Sequence, residues 1–160
     1  MPTQIPAYHT PNVDRLFAPN PPITVLVVGA DLDRFHVTRM VLMILGVRWV
    51  MYEDDSLQVA ASAERIAPDA ILIEDTPPRL DALDVVRRLR AHSAAARIPI
   101  IACVGAGTTG PRLRDLVAEC DAHVAQPCQA RDLGAAILAC VSRHSRSRAA
   151  GADEAVLRLL

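Results

Sequence analysis

A chain of 160 residues with 51% apolar content and a formal charge of −1 suits one globular core and argues against a broad cationic surface for nucleic acid. No apolar run reaches the roughly 18 residues that would suggest a membrane span, and no cationic start precedes an apolar block at the N-terminus, so a cytoplasmic protein without membrane contact is expected. The four cysteines lack zinc-site spacing, and all seventeen cationic side chains are Arg, which removes any chemistry that needs a lysine ammonium.

Residues 1–22 hold six of the twelve prolines and no sustained periodicity, and are expected to form an irregular leader. From Ile23 the pattern becomes regular. ITVLVV (23–28) reads as a strand; Leu32 to Leu45 reads as a helix capped by Asp31 and closed by Gly46; Trp49 to Tyr52 reads as a second strand, with Trp49 and Tyr52 as edge packing. A helix from Ser56 to Ala67 stops before Pro68. Ala70 to Ile73 is a short apolar run that ends in Glu74-Asp75-Thr76-Pro77-Pro78, the pattern of a buried strand delivering a carboxylate, Glu74, to a loop. Asp75 reads as a turn residue. Asp81 then caps a helix whose Ala82, Val85, Val86 and Leu89 share one face, with Arg87, Arg88 and Arg90 in its last turn. Ile98 to Val104 is a fourth strand, Arg112 to Cys120 a helix behind Pro111, Ala122 to Ala125 a short strand, and Arg131 to Val141 a last helix.

Strands apolar on both faces, alternating with helices, require a parallel sheet covered on both sides and joined by right-handed crossovers. The expected fold is therefore a doubly wound α/β domain, (βα)5, over residues 23–143, followed by a basic and apolar tail over 144–160. In such a sheet the site lies beyond the carboxyl ends of the strands, which singles out Gly29 to Asp33, Glu74 to Leu80, Val104 to Gly110 and Gln126 to Cys128.

VLVV with its loop, PDAILIE with its proline loop, LDALDVVRRLR, IPIIAC and VAQPC stand in the order and spacing of the receiver domain of two-component response regulators, which the chain resembles over Ile23 to about Arg143. The resemblance implies a flavodoxin-like fold with strand order 2-1-3-4-5. It also implies a site in which two acids after the first strand hold Mg²⁺, an Asp ending the third strand accepts phosphate from a histidine kinase, a hydroxyl follows the fourth strand, and a Lys precedes a cis-proline. Here the metal positions are Gly29 and Ala30, the acceptor position is Glu74, the hydroxyl position Val104 and the lysine position Gln126, before Pro127. All five have changed. Losing one preorganised electrostatic group typically costs on the order of 10²- to 10³-fold in rate, so phosphotransfer should fall by more than about 10⁴ and the Mg²⁺ site should be lost, leaving no cofactor and no metal. Asp31 and Asp33 are the nearby acids, but Asp31 is expected to cap the first helix and Asp33 to point along it. Glu74 then reads as a solvated carboxylate at a strand end. A mimic of the phosphorylated acceptor would need the absent lysine and hydroxyl.

His123 occupies the place of the family's switching aromatic, and an imidazole there can rotate and titrate. His9, His36, His92 and His144 have no ligand or triad spacing. Cys103 and Cys140 read as packing residues, Cys120 and Cys128 as more exposed ones with some scope for redox chemistry. Gly105, Gly107 and Gly110 spell G-x-G-x-x-G between a strand and a helix, a rival signal for a nucleotide or small-anion binder. It follows the fourth strand, however, and Pro111 removes one N–H donor. The tail offers Arg143, His144, Arg146 and Arg148, then Ala155, Val156, Leu159 and Leu160 on one face, either a frayed helix end or a docking helix.

The resulting expectation is a stand-alone, non-enzymatic, degenerate receiver domain that acts as a phosphorylation-independent interaction module. Its partner would be a kinase, a regulator or a second copy, met through the face of the fourth helix, fifth strand and fifth helix, with Arg112, Arg114, His123, Gln126, Pro127 and Arg131 as the residues concerned. The alternatives are the Gly105 to Gly110 binder and a residual phosphoacceptor at Glu74.

Overall fold

The computed structural model describes residues 22–159, with side-chain surroundings as far as Gly151. Residues 1–21 of the expected leader and Leu160 lie outside that description, and the side chains of Ala155, Val156 and Leu159 lie outside the described surroundings. Within it the chain alternates β1 (Thr24–Val28), α1 (Leu32–Ile44), β2 (Trp49–Glu53), α2 (Val59–Ile66), β3 (Ala70–Asp75), α3 (Ala82–Ala91), β4 (Ile100–Val104), α4 (Gly110–Glu119), β5 (Ala122–Ala125) and α5 (Ala130–Leu159). The strands form one parallel sheet in the order β2-β1-β3-β4-β5, as expected.

Two apolar layers flank the sheet, and strand alternation divides the residues between them. Leu26, Ile71, Ile73 and Ala102 face the layer of α2, α3 and α4, where Ala82, Val86, Leu89 and Leu116 meet them. Val25, Leu72, Ile101 and Cys103 face α1 and α5, where Phe35, Leu42, Leu133 and Ile137 close the other side. The local signals act as their chemistry dictates: Asp31 accepts from the N–H groups of Asp33 and Arg34, and Asp81 accepts from those of Leu83 and Asp84. Gly46 takes φ 97° immediately after the cap of α1, a conformation that favours glycine.

Beyond shifts of one or two residues, as where β4 begins at Ile100 instead of Ile98 and α4 at Gly110 instead of Arg112, three boundaries depart from the sequence reading. The helix expected from Ser56 begins at Val59, because Asp55 accepts from the Leu57 N–H and its carbonyl from the Gln58 N–H, which makes the preceding residues a turn. α5 does not stop at Val141; it runs through the basic residues to Leu159, since no proline or glycine interrupts the Ala- and Arg-rich stretch between Gly134 and Gly151. The third correction bears directly on the site. β3 includes Glu74 and Asp75, so the two acids are strand residues inside the sheet and not the start of a loop. No helix among the described residues is long and apolar enough to cross a membrane.

Candidate functional site

Glu74 and Asp75 are consecutive strand residues, so their side chains leave opposite faces of the sheet. This alternation sends one carboxylate toward α1 and the other toward α3 and α4, and two separate polar centres result.

Glu74 is 1% exposed, which overturns the expected solvated carboxylate. Thr38, on the inward side of α1, donates its hydroxyl to Glu74 Oε1 at 2.8 Å, while Oε2 has no hydrogen-bond partner among the described residues. Gly29, the first of the two metal positions, is buried directly against it: a Cβ built on Gly29 would stand 3.0 Å from Glu74 Oε2. The space that a first acidic side chain would need is thus taken by the longer carboxylate at the acceptor position. Tyr52 on β2 closes the same corner by donating its hydroxyl to the Gly29 carbonyl at 2.8 Å, its ring stacked on Phe35 at 4.3 Å between centroids. Asp31 is committed to its cap, as expected.

Burial pushes the Glu74 carboxyl above its ordinary range, against the opposing pull of the Thr38 hydrogen bond and the Arg34 charge; Asp31 adds to the rise. Between the unfolded and the raised folded value, the native protein therefore holds a proton that the unfolded chain has released. Stability falls as pH rises from the unfolded value, near 4.5, through the raised folded value, and the penalty is complete above it. Glu74→Gln removes that dependence. Its melting temperature relative to the wild type is expected to be higher by a few degrees at neutral pH, with the difference vanishing below about pH 4.5, as read by thermal denaturation across a pH series.

Asp75 is 4% exposed and is the hub of the second centre, where the sequence reading saw only a turn residue. Its Oδ1 accepts from the Ala82 N–H at 3.0 Å and from Arg112 Nη2 at 2.7 Å, and its Oδ2 accepts from the Thr108 hydroxyl at 2.5 Å. Arg112 also reaches Asp81 Oδ1 at 3.0 Å, so one guanidinium spans the ends of β3 and α3. Although partial burial works the other way, the Asp84 N–H, Arg112 and the Leu83 N–H hold the Asp81 carboxyl below its usual range. This cluster pins the glycine loop: Thr108 is buried at its middle, and its N–H donates to the Gly105 carbonyl. Of the three glycines only Gly110 has a positive φ, 60°. The hydroxyl missing at Val104 is thus supplied four residues later, and to Asp75 instead of Glu74.

The lysine position, Gln126, precedes a cis-proline, Pro127, as expected from the resemblance. The Cys103 thiol, which lines a small cavity with Gln126, is pushed well above the ordinary range by burial. This cavity of about 90 Å³ lies between Thr38, Cys103, Gln126, Cys128 and Leu133, far below the size of a cofactor pocket. Of the residues expected at a partner surface, His123, Arg114, Arg131 and Pro127 are exposed and Gln126 is half-buried. Arg112 does not belong with them, since its guanidinium turns inward to Asp75 and Asp81. Cys103 and Cys140 are buried packing residues, and Cys120 and Cys128 half-buried. Thr38, Thr108 and the role of Asp75 are what the sequence did not disclose, and Arg112, expected at the partner surface, belongs to the Asp75 centre instead. Only the Gly29 and Glu74 pair, a lost side chain beside a lengthened one, hinted at the compensation.

No family model matches the sequence. The sensory transduction protein RegX3 of Mycolicibacterium smegmatis is 31% identical over 103 residues, covering 64% of this chain and 44% of the relative. The response regulator MprA of Mycolicibacterium vanbaalenii is 28% identical over 137 residues, covering 84% of this chain and 57% of the relative. The chain thus spans about half the length of these curated relatives. Among solved structures, the receiver domain of a sensor histidine kinase from Pseudomonas aeruginosa, with magnesium coordinated in its active-site cleft, superposes with a TM-score of 0.66 at 27% identity over 76% of this chain and 98% of that one. A signal receiver domain from Bermanella marisrubri gives 0.65 at 24% identity over 74% of this chain and 97% of that one. Strand order and these likenesses give the chain the flavodoxin-like fold and the domain class of response-regulator receiver domains, as expected.

Proposed function

We propose that this receiver domain acts in two-component signalling as an interaction module that does not depend on phosphorylation. The observation that carries this reading is the buried Glu74 carboxylate, held by Thr38 and filling the space beside Gly29. A receiver acceptor must be reachable by a phosphoryl donor and flanked by groups that neutralise three phosphoryl oxygens. Glu74 is enclosed, and the neighbouring positions hold Gly29, Ala30, Val104 and Gln126.

Mg²⁺ does not fit this donor set. It prefers carboxylate and water oxygens in octahedral array, Gly29 and Ala30 offer no side-chain oxygen, and Asp31 is engaged with two backbone N–H groups. The second centre supports the same reading. Asp75, Thr108 and Arg112 tie the loop after β4 to the end of β3 with an internal carboxylate, so the loop is held without a phosphoryl group. The output surface in this proposal is the face of α4, β5 and α5 that presents Arg114, His123 and Arg131, and the partner is a kinase or a regulator.

The test is a pair of amide NMR spectra of the full chain, with and without Mg²⁺ and beryllofluoride, which mimics an acyl phosphate. Resonances of Gly29, Ala30, Glu74 and the Gly105 to Gly110 loop are expected to stay in place. Saturable shifts at these residues would refute the reading.

A further inference from the structure

Among the described residues, the exposed large apolar side chains all fall between Leu32 and Leu57. Val37, Met40, Met43 and Ile44 project from α1, while Trp49 and Met51, at 56% and 42% exposure, project from β2. Among the residues whose side chains are described, none stands on α4, β5 or α5. Exposed apolar side chains of this kind mark an interaction site, and those of β2 stand on the open edge of the sheet.

β2 pairs with β1 only, so its other edge carries no neighbouring strand among the described residues. The Glu53 carbonyl accepts from the Gly29 N–H and the Trp49 N–H donates to the Ile23 carbonyl, so Trp49, Met51 and Glu53 turn their main-chain groups toward β1. By strand alternation the main-chain groups of Val50 and Tyr52 point away from the sheet. No proline or bulge interrupts β2, and its one charged side chain, Glu53, stands at its last residue, where it accepts from the Ser62 hydroxyl.

We propose that β2 is the contact between two copies of this chain, paired antiparallel about a two-fold axis at Met51 to make one continuous ten-stranded sheet. The charges select a second copy as the occupant. Arg48 precedes the strand and Glu53 and Asp54 end and follow it, with Arg48 and Asp54 both exposed. With Met51 on the axis, Val50 lies opposite Tyr52 of the second copy and each exchanges the main-chain bonds it now leaves open. Arg48 lies opposite Asp54 of the second copy, twice over by symmetry. Opposite charges meet at both ends, and the two strands have equal length, so no polar main-chain group overhangs.

The side chains agree on both faces. On one, Trp49 and Met51 of each copy form a single apolar strip across the axis, Trp49 diagonal to Met51 of the other copy. On the other, Phe35 leans on Tyr52, and Leu32 and Met43 lie on the flank of α1 nearest that strand. The contact also reaches the acceptor position, because the Tyr52 hydroxyl holds the Gly29 carbonyl beside Glu74.

Sedimentation velocity of the full chain over a concentration series tests this, with circular dichroism confirming that each variant is folded. The wild type is expected to dimerise reversibly. Arg48→Glu and Asp54→Arg alone should each weaken dimerisation by about tenfold in Kd, since each places two like-charge pairs across the axis. Combining them should restore the wild-type constant. A second variant, Val50→Pro, removes the outward N–H and should leave a monomer. A wild type that stays monomeric up to near-millimolar concentration overturns the proposal. So does a dimer indifferent to both single reversals, or one that the double variant fails to restore, because another face or another occupant then accounts for the patch.

Discussion

Replacing Asp75 by alanine is expected to destabilise the domain by about 3 kcal/mol, more than the loss of any other polar side chain in the two centres. The carboxylate holds three donors at once: the Ala82 N–H at the start of α3, the Thr108 hydroxyl in the loop before α4, and the Arg112 guanidinium within α4. Removing it leaves a guanidinium without its inner partner, a buried hydroxyl without an acceptor and a helix N-terminal N–H unpaired. Arg112 keeps Asp81 and is about 30% exposed, so water recovers part of the loss and the effect falls short of that of a fully buried pair. Denaturant unfolding would measure it. The companion variant Thr108→Val should cost less, about 1 kcal/mol, because it removes one hydrogen bond and leaves the charges paired. In amide exchange, Asp75→Ala should also release the Gly105 to Gly110 loop, the segment whose anchor it is.

The second large effect is a gain. Restoring the five positions together, Gly29→Asp, Ala30→Asp, Glu74→Asp, Val104→Thr and Gln126→Lys, is expected to raise labelling by a small-molecule phosphodonor by at least about 10³-fold over the wild type. The order of assembly matters. Gly29→Asp alone drives its Cβ against Glu74 Oε2, since that contact would be 3.0 Å, and should be destabilising. Glu74→Asp shortens the carboxylate by one methylene and opens that space, so the pair should be better tolerated than Gly29→Asp by itself. Equal labelling of the quintuple variant and the wild type, in a folded protein, would mean that the five positions are not what silences the site.

How much of this was legible in the sequence depended on how local its cause was. The alternation of apolar runs with amphipathic segments fixes five strands and their helices, and the resemblance supplies the strand order that the sheet has. Caps at Asp31 and Asp81 and the glycine after α1 act within a few residues of where they stand. The two acids ending β3 were misread because a strand that turns acidic looks like a strand that stops. Their status depends on Thr38, Thr108 and Arg112, which stand 36, 33 and 37 residues away from them and meet them only through the sheet. No spacing rule reaches that far. Arg112 shows the same limit from the other side: an arginine in the first turn of a helix looks like a surface residue until the buried carboxylate beneath it is known. The length of α5 was legible in principle, since a stretch of Ala, Arg and Ser without proline or glycine gives a helix no reason to end at Val141.

These corrections strengthen the functional reading. An exposed Glu74 would have been an acceptor merely short of helpers; a buried one, propped by Thr38 and packed against Gly29, is withdrawn from the donor as well. Asp75 holds the loop after β4 through Thr108 and Arg112, partners that are permanent parts of the chain, which is what the proposed function needs. The measurement that tests this most directly is the intact mass of the wild-type protein after incubation with acetyl phosphate and Mg²⁺. No added mass is expected at any time point; a mass increase of one phosphoryl group, located at Glu74 by peptide mapping, would contradict the account.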